Sequence, residues 1–175
     1  MSAIILIVEQ LMSLALIVVL VRLLLQLSRA DFRNPVAQAV VNITNPLILP
    51  LRRILPPMGK VDTASVVAVL LIATLKLAIL FGLSGLELPN AALWLRAVAL
   101  EILRTTLWTY FWAIFVYALL SMIAPGNYSP LQSMLTALCE PALRPFRRLI
   151  PSISGIDLSP LWAGITIQAL LTLLH

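Results

Sequence analysis

The chain has 175 residues, of which 61% are hydrophobic and 11% charged, and its mean hydropathy is +1.04; too little polar surface remains to coat a core in water, so lipid is the implied solvent. The 12 Lys+Arg outnumber the 7 Asp+Glu to give a net charge of +5, yet the basic residues flank apolar stretches and do not alternate with stacking aromatics, which points to anionic lipid headgroups and not to nucleic acid. A single cysteine, Cys139, excludes an intrachain disulfide, and a single histidine, His175, excludes a His-based metal centre or catalytic triad.

A helix that crosses the hydrocarbon layer needs roughly 20 mainly apolar residues. The first such stretch, 4–27, is too long for a signal peptide and lacks a basic leader, so it reads as a retained span. Arg22, near the end of that span, is expected to snorkel toward the headgroups. Asn34-Pro35 then reads as a cap followed by a first-turn proline. Behind it Val36, Val40, Ile43 and Leu47 recur at helical spacing, with Gln38, Asn42 and Asn45 on another face, as in an amphipathic helix.

Pro46 is expected to break this helix. Pro50-Leu-Arg-Arg-Ile-Leu-Pro56 would follow as a short stiff element that presents Arg52 and Arg53 to lipid phosphates. The same arginines read equally well as a topology signal with no specific ligand. A second span covers 64–83, a short outer linker 84–97, and a third span 98–124. Ser129-Pro130 opens a second amphipathic stretch, with Leu131, Leu135, Leu138 and Ala142 opposite Gln132, Thr136 and Glu140. Pro141 is expected to end it ahead of Pro145-Phe-Arg-Arg-Leu-Ile-Pro151, which carries Arg147 and Arg148. The stretch 158–175 is marginal in length and crosses only if Pro160 sits in its first turn.

An internal repeat supports that fourth crossing. Pro35 and Pro130 stand 95 residues apart, and the same offset pairs Pro46 with Pro141, Pro50 with Pro145, Arg52 with Arg147, Arg53 with Arg148, Pro56 with Pro151 and Asp62 with Asp157. The implied fold is an all-α membrane protein of four transmembrane helices in two tandem parallel repeats, 1–83 and 98–175. Each repeat is a span, an interfacial amphipathic helix and a second span. Both long loops hold most of the lysines and arginines, so they should be cytoplasmic, with both termini outside.

Charges inside apolar spans cost on the order of 2.5–3.5 kcal/mol at mid-helix. Glu9, Lys76, Glu101 and Arg104 all fall in the outer half of the predicted spans and are expected to form an ion-pair cluster between helices. Two readings stand: ion pairs that only make the charges tolerable, or a path for an ion or proton. Trp108 and Trp112 share a helical face that either packs within the membrane or anchors a partner. No Gly-rich phosphate loop, nucleophile elbow or paired catalytic carboxylates occur. The reading calls for no catalytic residue, metal or cofactor.

The paired pattern is specific: a proline-opened helix, Asn45-Pro46 or Glu140-Pro141, a proline-bracketed Arg-Arg, then Gly59-Lys-Val-Asp62 or Gly155-Ile-Asp157. Over nearly its full length the chain resembles the YggT/YlmG family in its two-domain form. The second copy departs in having Glu140 for asparagine and one residue fewer between glycine and aspartate. The resemblance implies a small bacterial inner-membrane protein tied to osmotic-stress tolerance, ion homeostasis, division or envelope organisation, while plastid relatives serve cytochrome-complex maturation. It implies no shared reaction. The expected function is a non-enzymatic scaffold or assembly factor, binding a membrane-protein partner or a second copy of itself. An ion-translocating subunit and a cytochrome or haem maturation factor are the alternatives.

Overall fold

Leucine, isoleucine, valine and alanine dominate the long apolar stretches with few breakers between them, and in lipid the backbone satisfies its polar groups only by coiling on itself. The computed structural model describes residues 2–55, 62–123, 129–149 and 157–174, and those residues form helices and no strands. In chain order these are α1 (Ser2–Leu27), α2 (Pro35–Ile54), α3 (Thr63–Ser84), α4 (Ala91–Ile123), α5 (Pro130–Leu149) and α6 (Ser159–Leu173). Among them α1, α3 and α4 are long and apolar enough to cross a membrane. At 15 residues, α6 reaches only about 22 Å, less than the roughly 30 Å of hydrocarbon.

Two boundaries differ from the sequence reading. α4 begins at Ala91, so much of the supposed linker is helix. Trp94 there packs on the core of α1 and α3 and meets the Phe81 ring edge-on at 5.8 Å. The prolines also fail to break the interfacial helices. α2 runs through Pro46 and Pro50, and α5 through Pro141 and Pro145, each as 20 residues without interruption. Their spacing explains this, because prolines four apart share one face. Pro46, Pro50, Pro141 and Pro145 are all exposed, so the carbonyls they leave unbonded point away from the packed side. Pro56 and Pro151 lie outside the described residues, as do Gly59, Lys60, Gly155 and His175.

The packed face of α2 is also rotated from the expected one. Ala37, Thr44 and Ile48 are buried, while Ile43 is 69% exposed. α5 buries Met134, Leu135, Leu138, Cys139 and Leu143. α1 packs on α3, and α4 on α6, with α2 and α5 crossing their ends and touching one another. One core gathers Leu16, Leu20, Ile48, Ala68 and Val98; the other gathers Ile114, Leu138, Leu143, Ala163 and Ile167, and draws in Leu24 and Leu25 from α1. The first span therefore serves both cores.

Candidate functional site

The start of α2 is set by Asn34, whose Oδ1 accepts from the Val36 N–H at 2.8 Å while Pro35 occupies the first turn. The same side chain reaches the other interfacial helix, since Asn34 Nδ2 donates to the Pro130 carbonyl at 2.6 Å. That bond joins the two helix openings.

At the far end of α2 the two arginines of the pair divide. Arg52 turns inward to Asp62, directly before α3, with Nη2 to Oδ2 at 2.6 Å and Nε within 3.3 Å of both carboxylate oxygens. Ser65 Oγ donates to the same Asp62 Oδ2 at 2.7 Å. Arg147 makes the corresponding contact with Asp157, Nε to Oδ2 at 2.9 Å, and Asp157 Oδ1 accepts from the Ser159 N–H. Each aspartate thus latches an interfacial helix to the next helix. Burial alone would raise both carboxyls, but Arg52 and Ser65 outweigh it at Asp62, and Ser159 and Arg147 outweigh it at Asp157, so both lie below the ordinary range. Arg53 and Arg148 are exposed, and Arg52 and Arg147, though held by their aspartates, keep side chains 45% and 33% exposed.

The two latches differ in their surroundings. Arg147 also donates to Glu140 at 2.5 Å and to the Tyr117 hydroxyl at 2.9 Å. In the first half, Asn45 stands where Glu140 does, and Arg22 where Tyr117 does, at the offset of 95. Arg22 does not snorkel outward. It is 4% exposed, and its Nη1 donates to the Val41 carbonyl, Thr44 Oγ1 and Asn45 Oδ1 at 2.6–3.2 Å. α2 crosses the end of α1 closely enough to bring these neutral acceptors to the guanidinium. Arg22, Arg52, Gln38, Asn42 and Phe32 wall a cavity of about 310 Å³ at this crossing.

The expected cluster of Glu9, Lys76, Glu101 and Arg104 resolves into separate contacts. Lys76 Nζ and Glu101 Oε1 meet at 2.5 Å between α3 and α4, with side chains only 8% and 17% exposed. Arg104, nearly a turn further along α4, donates instead to the Leu174 carbonyl at the end of α6. Glu101 and Arg104, three residues apart, are neighbours on the surface of α4, yet one reaches α3 and the other the end of α6. Among the described residues no ion pair joins Glu9 to these groups. Trp108 and Trp112 are exposed and belong to an edge-to-face series with Phe111 and Phe115, centroids 5.6–5.8 Å apart. Of these contacts, the Arg–Asp latches follow from residues the repeat had already paired. Arg22 was missed as an interhelical tie, although a lone arginine in so apolar a span was the available signal.

The CCB3/YggT family model matches residues 1–83 and 96–175. Uncharacterized protein PA0392 of Pseudomonas aeruginosa is 39% identical over 172 residues, covering 95% of this chain and 85% of the relative. Uncharacterized protein YggT of Escherichia coli K12 is 39% identical over 144 residues, covering 82% and 74% respectively. A Vibrio alginolyticus relative, the uncharacterized protein in proC 3'region, is 36% identical over 162 residues, covering 92% and 87%. No solved structure matches the chain. Matched by the family model along nearly all its length, and by relatives well above 30% identity, the chain belongs to the CCB3/YggT family.

Proposed function

We propose that this protein is a non-enzymatic scaffold or assembly factor of the bacterial inner membrane, serving envelope organisation, division or osmotic-stress tolerance. On this reading α1, α3 and α4 span the membrane and the shorter α6 crosses where the bilayer thins to meet it, giving two tandem parallel repeats, 1–83 and 98–175, with α2 and α5 as amphipathic helices at the cytoplasmic interface and both termini outside. The observation that carries this reading is the use of the inward-turned charges. Arg22, the Lys76–Glu101 pair, Arg104, Arg52 and Arg147 each tie one helix to another. Such ties make a rigid frame. The exposed Trp108, Trp112 and Phe115 on α4 offer that frame a surface for a membrane-protein partner or a second copy.

Purification in mild detergent followed by crosslinking should recover a defined complex or homo-oligomer, and a monodisperse monomer that crosslinks to nothing would count against the scaffold. The buried Lys76–Glu101 pair is the observation that favours ion translocation as a second reading. Liposomes holding the protein in verified orientation should stay cation-tight. A flux abolished by Lys76→Met would instead establish translocation.

Sidedness has its own test. Cys139 is buried, and that burial pushes its thiol up to about 12 against the lowering effect of Arg147, so it should resist maleimide in the folded protein. In a Cys139→Ser background, cysteines at positions 2 and 60 should label from opposite sides of intact cells. Labelling of position 60 by an impermeant reagent would reverse the orientation.

A further inference from the structure

The cavity between α1 and α2 has the composition of an anion seat. Arg22 is 4% exposed, yet among the described residues no carboxylate comes within ion-pair distance of it. Its described acceptors, the Val41 carbonyl, Thr44 and Asn45, are all neutral. A buried guanidinium so placed retains an unbalanced positive charge, and anions are what it attracts. Arg52 walls the same cavity, and its described contacts to Asp62 use Nε and Nη2. Two guanidiniums therefore share one carboxylate here. The amides of Gln38 and Asn42, both exposed at the cavity wall, add N–H donors.

The second half is built otherwise at the equivalent positions. Tyr117 replaces Arg22, Glu140 replaces Asn45, and Ser133 and Ala137 stand for Gln38 and Asn42. There Arg147 already meets two carboxylates, Glu140 and Asp157, at 2.5 and 2.9 Å. Its charge is met from within the chain.

We propose that the first-half cavity, between Arg22 and Arg52, is a binding site for a phosphate-bearing anion, and that the second half carries no such site. A tetrahedral phosphate offers several acceptor oxygens to guanidinium and amide donors converging from two helices. About 310 Å³ accommodates a phosphate with the polar part of a headgroup. The site stands on these contacts and is independent of the scaffold reading.

The full chain, purified in a neutral detergent, would be titrated by calorimetry with dioctanoyl phosphatidylglycerol and separately with inorganic phosphate. Saturable binding of the lipid that phosphate does not compete away identifies a headgroup seat, and binding of phosphate itself with displacement of the lipid identifies a free-phosphate seat. Both outcomes uphold the site. Gln38→Glu/Asn42→Asp fills the seat with the chain's own carboxylates at exposed positions and should weaken binding about tenfold or more. The paired control Ser133→Glu/Ala137→Asp should bind as the parent does. Should the acidic variant fold poorly by circular dichroism, Gln38→Leu/Asn42→Leu removes the wall donors without adding charge and should also weaken binding. Saturable binding of neither ligand, parent-like binding in the first-half variants, or an equal loss in the second-half control would overturn the proposal.

Discussion

Replacing Lys76 by methionine is expected to cost about 3–5 kcal/mol of bundle stability, the scale for removing one partner of a buried ion pair. The pair sits between α3 and α4 at 2.5 Å with side chains 8% and 17% exposed. Without Lys76, the Glu101 carboxylate keeps, among the described residues, a 3.4 Å contact from Thr105 Oγ1. Left in an apolar setting without its cation, it weakens the joint between α3 and α4. Replacing both partners, Lys76→Met/Glu101→Leu, removes the stranded charge and should recover most of the loss. Unfolding in mixed micelles measures this directly. Equal deficits in the single and double variants would mean that the two charges are not coupled.

Much of this fold is legible before any coordinates. The spans at 4–27 and 64–83 and the starts of both interfacial helices emerge from apolar length and first-turn prolines, and the structure places α1, α2, α3 and α5 accordingly. Single-proline logic fails at Pro46 and Pro141, because it treats each residue alone. Whether a lost hydrogen bond ends a helix depends on which face the freed carbonyl occupies, and here that face is the open one. The start of α4 was overlooked. Asn90 caps the helix, its Oδ1 accepting from the Leu93 N–H at 2.9 Å, and Trp94 packs against the first core, so the early start has both a local and a tertiary cause.

The candidate site follows the same division. The offset of 95 pairs Asp62 with Asp157 and Arg52 with Arg147, so the latch positions were visible as identities. The identities carry no information about which arginine of each pair turns inward. That is decided by where the helix face carrying the first arginine meets the next helix. Depth counting likewise put Glu9, Lys76, Glu101 and Arg104 at one level, but rise along an axis says nothing about azimuth. Glu9 stands apart from the others, and even Arg104 and Glu101, neighbours on one side of α4, reach different helices.

Substituting the inward arginines, Arg52→Gln/Arg147→Gln, should loosen α2 and α5 far more than substituting the outward ones, Arg53→Gln/Arg148→Gln. The first latch should dominate. Asp62 is only 3% exposed, but Arg52 is 45% exposed and Ser65 still donates to the carboxylate, so losing Arg52 should cost roughly 1–3 kcal/mol. Asp157 is 41% exposed, and water offsets most of the loss of Arg147, leaving about 1 kcal/mol or less. Hydrogen exchange of the α2 and α5 amides in anionic liposomes would read both effects. Lysine at position 52 should restore part of the protection, since it keeps the charge and loses the fork that Nε and Nη2 present to Asp62. The pH dependence separates a latch from a general packing defect. Both aspartates titrate below their ordinary value in the folded chain, so the parent should hold the latch fully above the unfolded value of about 3.9 and lose it as pH falls through the lower folded one. In Arg52→Gln the lowering influence of Arg52 is gone and the burial of Asp62, which raises its carboxyl, is left less opposed. The acid-side loss of protection near α2 should then flatten, because Ser65 and Arg22 still favour the charged carboxylate while the influence of Arg52 is gone. If parent and variant show the same slope, Asp62 is not latched by Arg52, and the inward arginine acts only through packing.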